Sequence, residues 1–198
     1  DSYDLASGLS NEEVGEGADD VKVVGLEIEN SDGSDIEIIA ARLVFDETTA
    51  NSDFEDYASE VSIWLGDKEI GRVDGDEFND GNNWTKTVSL DEGMIDSGDT
   101  AVLYVAISGI SNLDSDDDTE TWTIDITSVR FADAEGTVIS EDPGEAATTF
   151  SLESFATAKD TEFKITESGT TNELTNDAHL INVDATDTTD NVPILAFD

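Results

Sequence analysis

Apolar and polar residues alternate with period two in short runs, each bounded by Gly, Asp, Asn or Ser. That is the pattern of half-buried strands separated by turns. Val21 to Glu29 reads as a strand with Val24, Leu26 and Ile28 on one face, and Lys22, Glu27 and Glu29 exposed or at the rim. Ile36 to Phe45 follows, with a bulge expected near Ala40-Ala41 because the apolar face changes phase there. Val61 to Leu65 and Glu69 to Val73 flank Gly66-Asp67 as a hairpin. Trp84, Lys86, Val88 and Leu90 alternate with Thr85, Thr87 and Ser89. Ala101 to Ile107 is almost continuously apolar and reads as a central strand. Trp122, Ile124 and Ile126 run on into Val129 and Phe131, and a short strand near Thr137 to Ile139 stops at Asp142-Pro143-Gly144. No helical stripe exceeds a turn or two, with Glu92 to Ile95 as a single expected turn. About eight short strands at this spacing make an all-β antiparallel sandwich of immunoglobulin type the expected fold.

The character changes after Gly144. Residues 146–198 are rich in Thr, Asp, Glu and Ser, with isolated strands expected at Glu162 to Thr166 and His179 to Asp184. Val192-Pro193-Ile194-Leu195-Ala196-Phe197-Asp198 then ends the chain in an apolar run, and Asp190 to Asp198 aligns with Asp19 to Glu27 position by position. We read this as an internal repeat, the opening strand of a further module or a donor strand. Val192, Ile194, Leu195 and Phe197 are then the expected assembly strand, pairing outside the first sandwich. The organisation expected is an acidic linker or extension at 1–17, a sandwich at 18–145, and a Thr/Asp-rich segment at 146–198 with its bridging strand at 191–198. The start at Asp1 rather than Met leads us to expect a processed or excised chain.

Charge reshapes that picture. Forty-nine acids against eight bases give a formal net charge of −41. Such a surface repels phosphate backbones and anionic lipid, so nucleic acid is not an expected partner. No apolar run approaches the roughly 18 residues of a membrane span, so direct membrane insertion is not expected. With no cysteine, thiol chemistry and disulfides are excluded. Acidity of this order often means disorder, but 37% of the residues are apolar, with eight Phe and three Trp. They alternate rather than scatter, which is the signature of a chain that folds. Its self-repulsion must then be screened or neutralised by cations.

Three segments in this chain resemble repeated immunoglobulin-like modules of prokaryotic surface-layer and large cell-surface proteins. They are Val21-Lys22-Val23-Val24-Gly25-Leu26-Glu27-Ile28, Ala58 to Asp67 ending in Gly66-Asp67, and Asp99 to Ser108 ending in Ile107-Ser108. The resemblance covers about residues 18–145, with Asn191 to Asp198 as a second opening strand. It implies an extracellular structural or adhesive role in arrays or filaments, often supported by calcium. This chain is more acidic than such modules are expected to be.

Calcium takes six to eight oxygen ligands, and three acidic loops could supply them. The first is Asn30 to Asp35, with Asp32 and Asp35; the second runs from Asp74 to Asn83, with Asp74, Asp76 and Asp80. The third is Asn112 to Glu120, where Asp114, Asp116 and Asp118 have the one-three-five spacing of an EF-hand loop and Glu120 follows. Thr119 stands where that loop needs Gly and Asp125 where it needs Glu; Phe78 takes a ligand position in the second loop. A solvated acidic turn is the plain alternative for each.

Enzyme chemistry is not expected. Asp96-Ser97-Gly98 has no second Asp-Ser/Thr-Gly partner, which an aspartic protease needs. His179 is the only histidine and no Gly-x-Ser-x-Gly elbow accompanies it. Trp64, Trp84 and Trp122 lie on strands, as core residues or as a saccharide platform if they share an exposed face. Asn83-Trp84-Thr85 is a lone glycosylation sequon. The function expected is an extracellular, cell-surface structural protein that assembles with itself or with adjacent modules into a layer, adhesin stalk or filament. A carbohydrate- or ligand-binding module of a secreted protein is the alternative.

Overall fold

The β-branched and aromatic runs form strands throughout, because their side chains pack on a pleated surface. The computed structural model describes residues 2–31, 33–48, 53–111, 113, 120–144 and 146–153. All of these lie in a compact unit spanning Asp1–Ala158. Eleven strands are present among them: β1 (Ser2–Leu5), β2 (Glu12–Gly15), β3 (Val21–Glu29), β4 (Ile36–Glu47), β5 (Ala58–Leu65), β6 (Lys68–Asp74), β7 (Thr85–Ile95), β8 (Thr100–Gly109), β9 (Glu120–Asp133), β10 (Val138–Glu141) and β11 (Ala147–Glu153). One sheet runs β1-β3-β8-β5-β6; the other runs β2-β11-β9-β4-β7, with β10 also on β9. Every pairing is antiparallel except β2 with β11. The fold is an all-β sandwich of immunoglobulin-like architecture, as the alternation predicts. Relative to the seven-strand immunoglobulin layout, the first and last long strands are exchanged. β3 lies beside β8, and β9 lies beside β4.

Inward-facing positions supply the core. Val24, Leu26 and Ile28 of β3 meet Leu103, Val105 and Ile107 of the central β8, and Ile38, Leu43, Ile124 and Ile126 oppose them; all are buried. The expected bulge in β4 is present, since the register to both neighbours shifts between Ile38 and Ala40. Gly66, at a φ of +62°, makes the hairpin turn between Leu65 and Lys68, a conformation that favours glycine. One end of the sandwich is plugged by aromatic rings. Phe45 stacks on Phe54 with centroids 4.3 Å apart, Phe78 meets Phe45 edge-on at 4.8 Å, and Trp122 meets Phe54 at 5.3 Å.

Three expectations are corrected. Of the linker or extension expected at 1–17, residues 2–17 are an extension of the sandwich and not a linker: β1 borders β3 and β2 borders β11, one strand on an edge of each sheet. Val14 is fully buried there, and that burial fixes the segment to the body. The sandwich does not stop at 145, because Ala147–Glu153 pairs with β9 and buries Phe150 and Leu152. Glu92 to Ile95 is the end of strand β7 rather than a helical turn. Gly93 lies so close to the Ile38 carbonyl that an added Cβ would stand 2.7 Å from it, a strand-to-strand approach that a helical turn would break.

Candidate functional site

In two of the three acidic loops, side-chain hydrogen bonds brace the described residues. In the Asp74–Asn83 loop, Phe78 is buried in the aromatic plug while Asp74, Asp76 and Asp80 stay exposed. The Asn79 side chain accepts the Gly81 N–H at 3.1 Å and donates to the Asp76 carbonyl at 2.8 Å. Asn82 Oδ1 accepts the Asn79 and Thr85 N–H groups, and Lys86 pairs with Glu77. In the Asn30–Asp35 loop, Asp35 accepts the Ser97 N–H at 2.9 Å, and buried Asn30 donates to the Ser34 and Ile95 carbonyls. The Asp96-Ser97-Gly98 triplet is therefore a turn braced against Asp35. Among the described residues, no three His, Asp or Glu side chains converge where a metal ion could be held. Asp32, Asp114, Asp116 and Asp118 lie outside the described residues, as do His179 and the strand of Val192, Ile194, Leu195 and Phe197. Glu120 opens β9 opposite Leu152, and Asn83 is exposed.

Charge is distributed unevenly on this surface. On the outer face of the first sheet, Arg72 pairs with Asp20 at 2.9 Å, Glu60 at 2.7 Å and Glu69 at 2.8 Å. Burial pushes the Asp20 pKa up, but hydrogen bonds from Arg72 and from the Ser62 hydroxyl outweigh it and hold the carboxyl below its usual range. The Arg72 hydrogen bond lowers Glu69 as well. Near the aromatic plug the balance is opposite. Asp53 is raised by partial desolvation and then by the like charges of Asp80, Asp56 and Glu47. Asp125 is raised by desolvation and by Asp142.

The least protected element is β10. It shares its side of β9 with β11. β2 covers the outer edge of β11, but among the described residues no strand pairs with the outer edge of β10. Val138 is 54% exposed and Ile139 is 40% exposed. A side-chain hydrogen bond from Tyr3 to Glu141, at 2.6 Å, ties β1 to this strand across the gap between the sheets. Burial, then the Glu141 hydrogen bond, push the Tyr3 pKa upward. The alternation locates a strand near Thr137 to Ile139, but no sequence signal marks its apolar side chains as exposed.

The tryptophans do not form a row. Trp122 is buried, and Trp84 packs edge-on against it at 5.6 Å. Trp64 alone faces outward, directly across from Tyr104, and its Nε1–H donates to Ser62 Oγ at 2.9 Å. Tyr104 lies over Gly25 with the Lys22 ammonium 4.0 Å from the ring centroid, a cation–π contact.

No family model matches this chain, and no curated protein sequence matches it. Solved structures similar in fold include AvmM, which catalyses macrocyclization in alchivemycin A biosynthesis, at 10% identity and a TM-score of 0.38, covering 76% of this chain and 87% of that one. A type I cohesin–dockerin complex from Clostridium thermocellum is similar at 16% identity and a TM-score of 0.35, covering 77% and 94%. ACE19, the collagen-binding subdomain of the Enterococcus faecalis surface protein ACE, is similar at 10% identity and a TM-score of 0.26, covering 76% and 99%.

Proposed function

We propose that this chain is an extracellular, cell-surface structural module that assembles with copies of itself, or with adjacent modules, through strand edges into a layer, stalk or filament. The observation that carries this reading is β10, whose outer edge is unpaired among the described residues and whose Val138 and Ile139 are exposed. An uncovered apolar strand edge is a template for a strand from another chain. Natural folds commonly blunt such edges with charge or proline; here Glu141, tied to Tyr3, and Asp142-Pro143 stand only at one end, while Val138, Ile139 and Ser140 are uncharged in a chain of net charge −41.

Cations complete the mechanism. Two such surfaces repel unless counter-ions screen them, and the like charges of Asp80, Asp56 and Glu47 that act on Asp53 are repulsion of the kind that screening relieves. Calcium is part of the same proposal, at the third acidic loop, whose Asp114, Asp116 and Asp118 lie outside the described residues. This reading assigns the chain no enzymatic activity. Electron microscopy and light scattering across a salt series, with calcium or with chelator, test it. Ordered assemblies that grow with cation concentration support it; particles of monomer size in every condition reject it.

A second reading, a saccharide-binding module, is favoured by one observation: Trp64 and Tyr104 stand side by side on an outer sheet face. Quenching of Trp64 fluorescence by soluble glycans, lost in Trp64→Ala, would support that reading over assembly.

A further inference from the structure

Of the eight bases, Lys159 and Lys164 lie outside the described residues, which leaves six. Four of these have carboxylate partners: Lys22 with Asp67, Lys68 with Glu92, Lys86 with Glu77, and Arg72 with three. Arg42 and Arg130 have none among the described residues. Both are exposed, and both line one shallow cleft of about 200 Å³ on the outer face of the second sheet, with Ala40, Thr87, Ser128 and Ser140. The strand registers explain the pairing. Arg42 stands opposite Thr87 and Ser128, while Arg130 stands opposite Ala40 and Ser140. The two arginines thus rise from diagonal positions on adjacent strands, within reach of long side chains, and their neighbours are small or hydroxylic. Arg130 Nε donates to Ser140 Oγ at 3.1 Å.

The cleft's floor is a sheet whose amides are spent in the ladders, so its donors are two planar guanidinium forks and hydroxyl groups. Such forks match the paired oxygens of a carboxylate or a phosphate, and carboxylates are the anions this chain itself carries, 49 of them. The volume is below the roughly 300–1,000 Å³ of sites that enclose larger ligands, and it admits an acidic side chain.

We propose that this cleft binds a carboxylate, and that the occupant is an acidic side chain from a second copy of this chain. Charge complementarity selects that occupant: a copy presents acid almost everywhere, so two copies repel except where these two arginines stand. Position supports it too, because Ser140 belongs to β10, so the cleft borders the edge proposed for strand pairing. The second copy as occupant rests on the assembly reading; the carboxylate chemistry does not.

Two measurements on the full chain test this. Sedimentation equilibrium, at an ionic strength where the wild type associates, compares it with R42Q/R130Q, whose folding is checked by its melting curve. The double variant is expected to associate about tenfold more weakly or worse with an unchanged melt. Equal association overturns the proposed occupant. Side-chain ¹⁵N NMR with a glutamate decapeptide as probe is expected to shift the Nε–Hε signals of Arg42 and Arg130 and to leave that of Arg72 in place. No shift at Arg42 and Arg130 overturns the carboxylate site. A wild type that stays monomeric in every condition fails the assembly reading and the occupant together, while the decapeptide still decides the site.

Discussion

Arg72 shows how one residue organises charge in a chain that has little positive charge. Its guanidinium, buried more deeply than most charged groups here, gathers Asp20, Glu60 and Glu69 from three segments, and Ser62 adds a 2.7 Å bond to Asp20. Removing it leaves three carboxylates facing one another without a counter-charge. Arg72→Gln is expected to cost about 1–3 kcal/mol in urea denaturation, whereas Lys68→Gln, in an exposed pair with Glu92, is expected to change stability by less than about 0.5 kcal/mol. Gly25 is the steric counterpart. A Cβ there would meet Ala6 Cβ at 2.8 Å and the Tyr104 ring at 3.0 Å. Gly25→Ala is therefore expected to destabilise by about 1–3 kcal/mol, and hydrogen exchange should show β1 freed first. Neither role could be read from the sequence, where Arg72 is one base among strand residues and Gly25 interrupts an apolar run. Both depend on which strands become neighbours.

Among the elements, alternation marks the long strands and the short β10, and leaves β1, β2 and β11 unmarked. β3, β5, β6 and β8 follow the predicted runs, and the phase change at Ala40 does mark a bulge. β1 and β2 were invisible because each has four residues and, of the two, only β2 has a fully buried side chain, that of Val14. Their strand character comes from the edges they complete rather than from their own pattern. Val14→Ala is expected to cost about 2 kcal/mol and to release β2, seen as faster amide exchange at Glu13 to Gly15 and at the β11 edge. β11 was missed for a related reason: its Thr-rich sequence reads like the segment that follows, yet Phe150 and Leu152 bury against the core. The candidate loops were legible as acidic turns, but their asparagines, which order the Asp74–Asn83 loop from within, look like any other turn residues in sequence.

The whole molecule balances a packed apolar interior against a self-repelling surface, and pH and salt act on that balance in calculable directions. Asp53 and Asp125, raised above the ordinary 3.8, bind protons more tightly folded than unfolded. Their penalty is present at neutral pH and is relieved as pH falls through their folded values. Asp20 and Glu69, lowered from 3.8 and 4.5, stabilise above those values, and that contribution is lost as pH falls below them. Thermal melts at low salt are expected to gain stability as pH falls from neutrality toward the ordinary carboxylate range and to lose it again below that range, and added potassium chloride should raise the neutral-pH melting temperature most. A neutral-pH maximum insensitive to salt would contradict this balance of charges. The central claim, that an exposed strand edge joins copies once their acid surfaces are neutralised, is met most directly by sedimentation velocity on the wild type and on V138K/I139K across a salt and calcium series. The wild type is expected to grow in mass with cation concentration while the folded double variant stays monomeric. A wild type that remains monomeric throughout, or a variant that associates as well as the wild type, would contradict it.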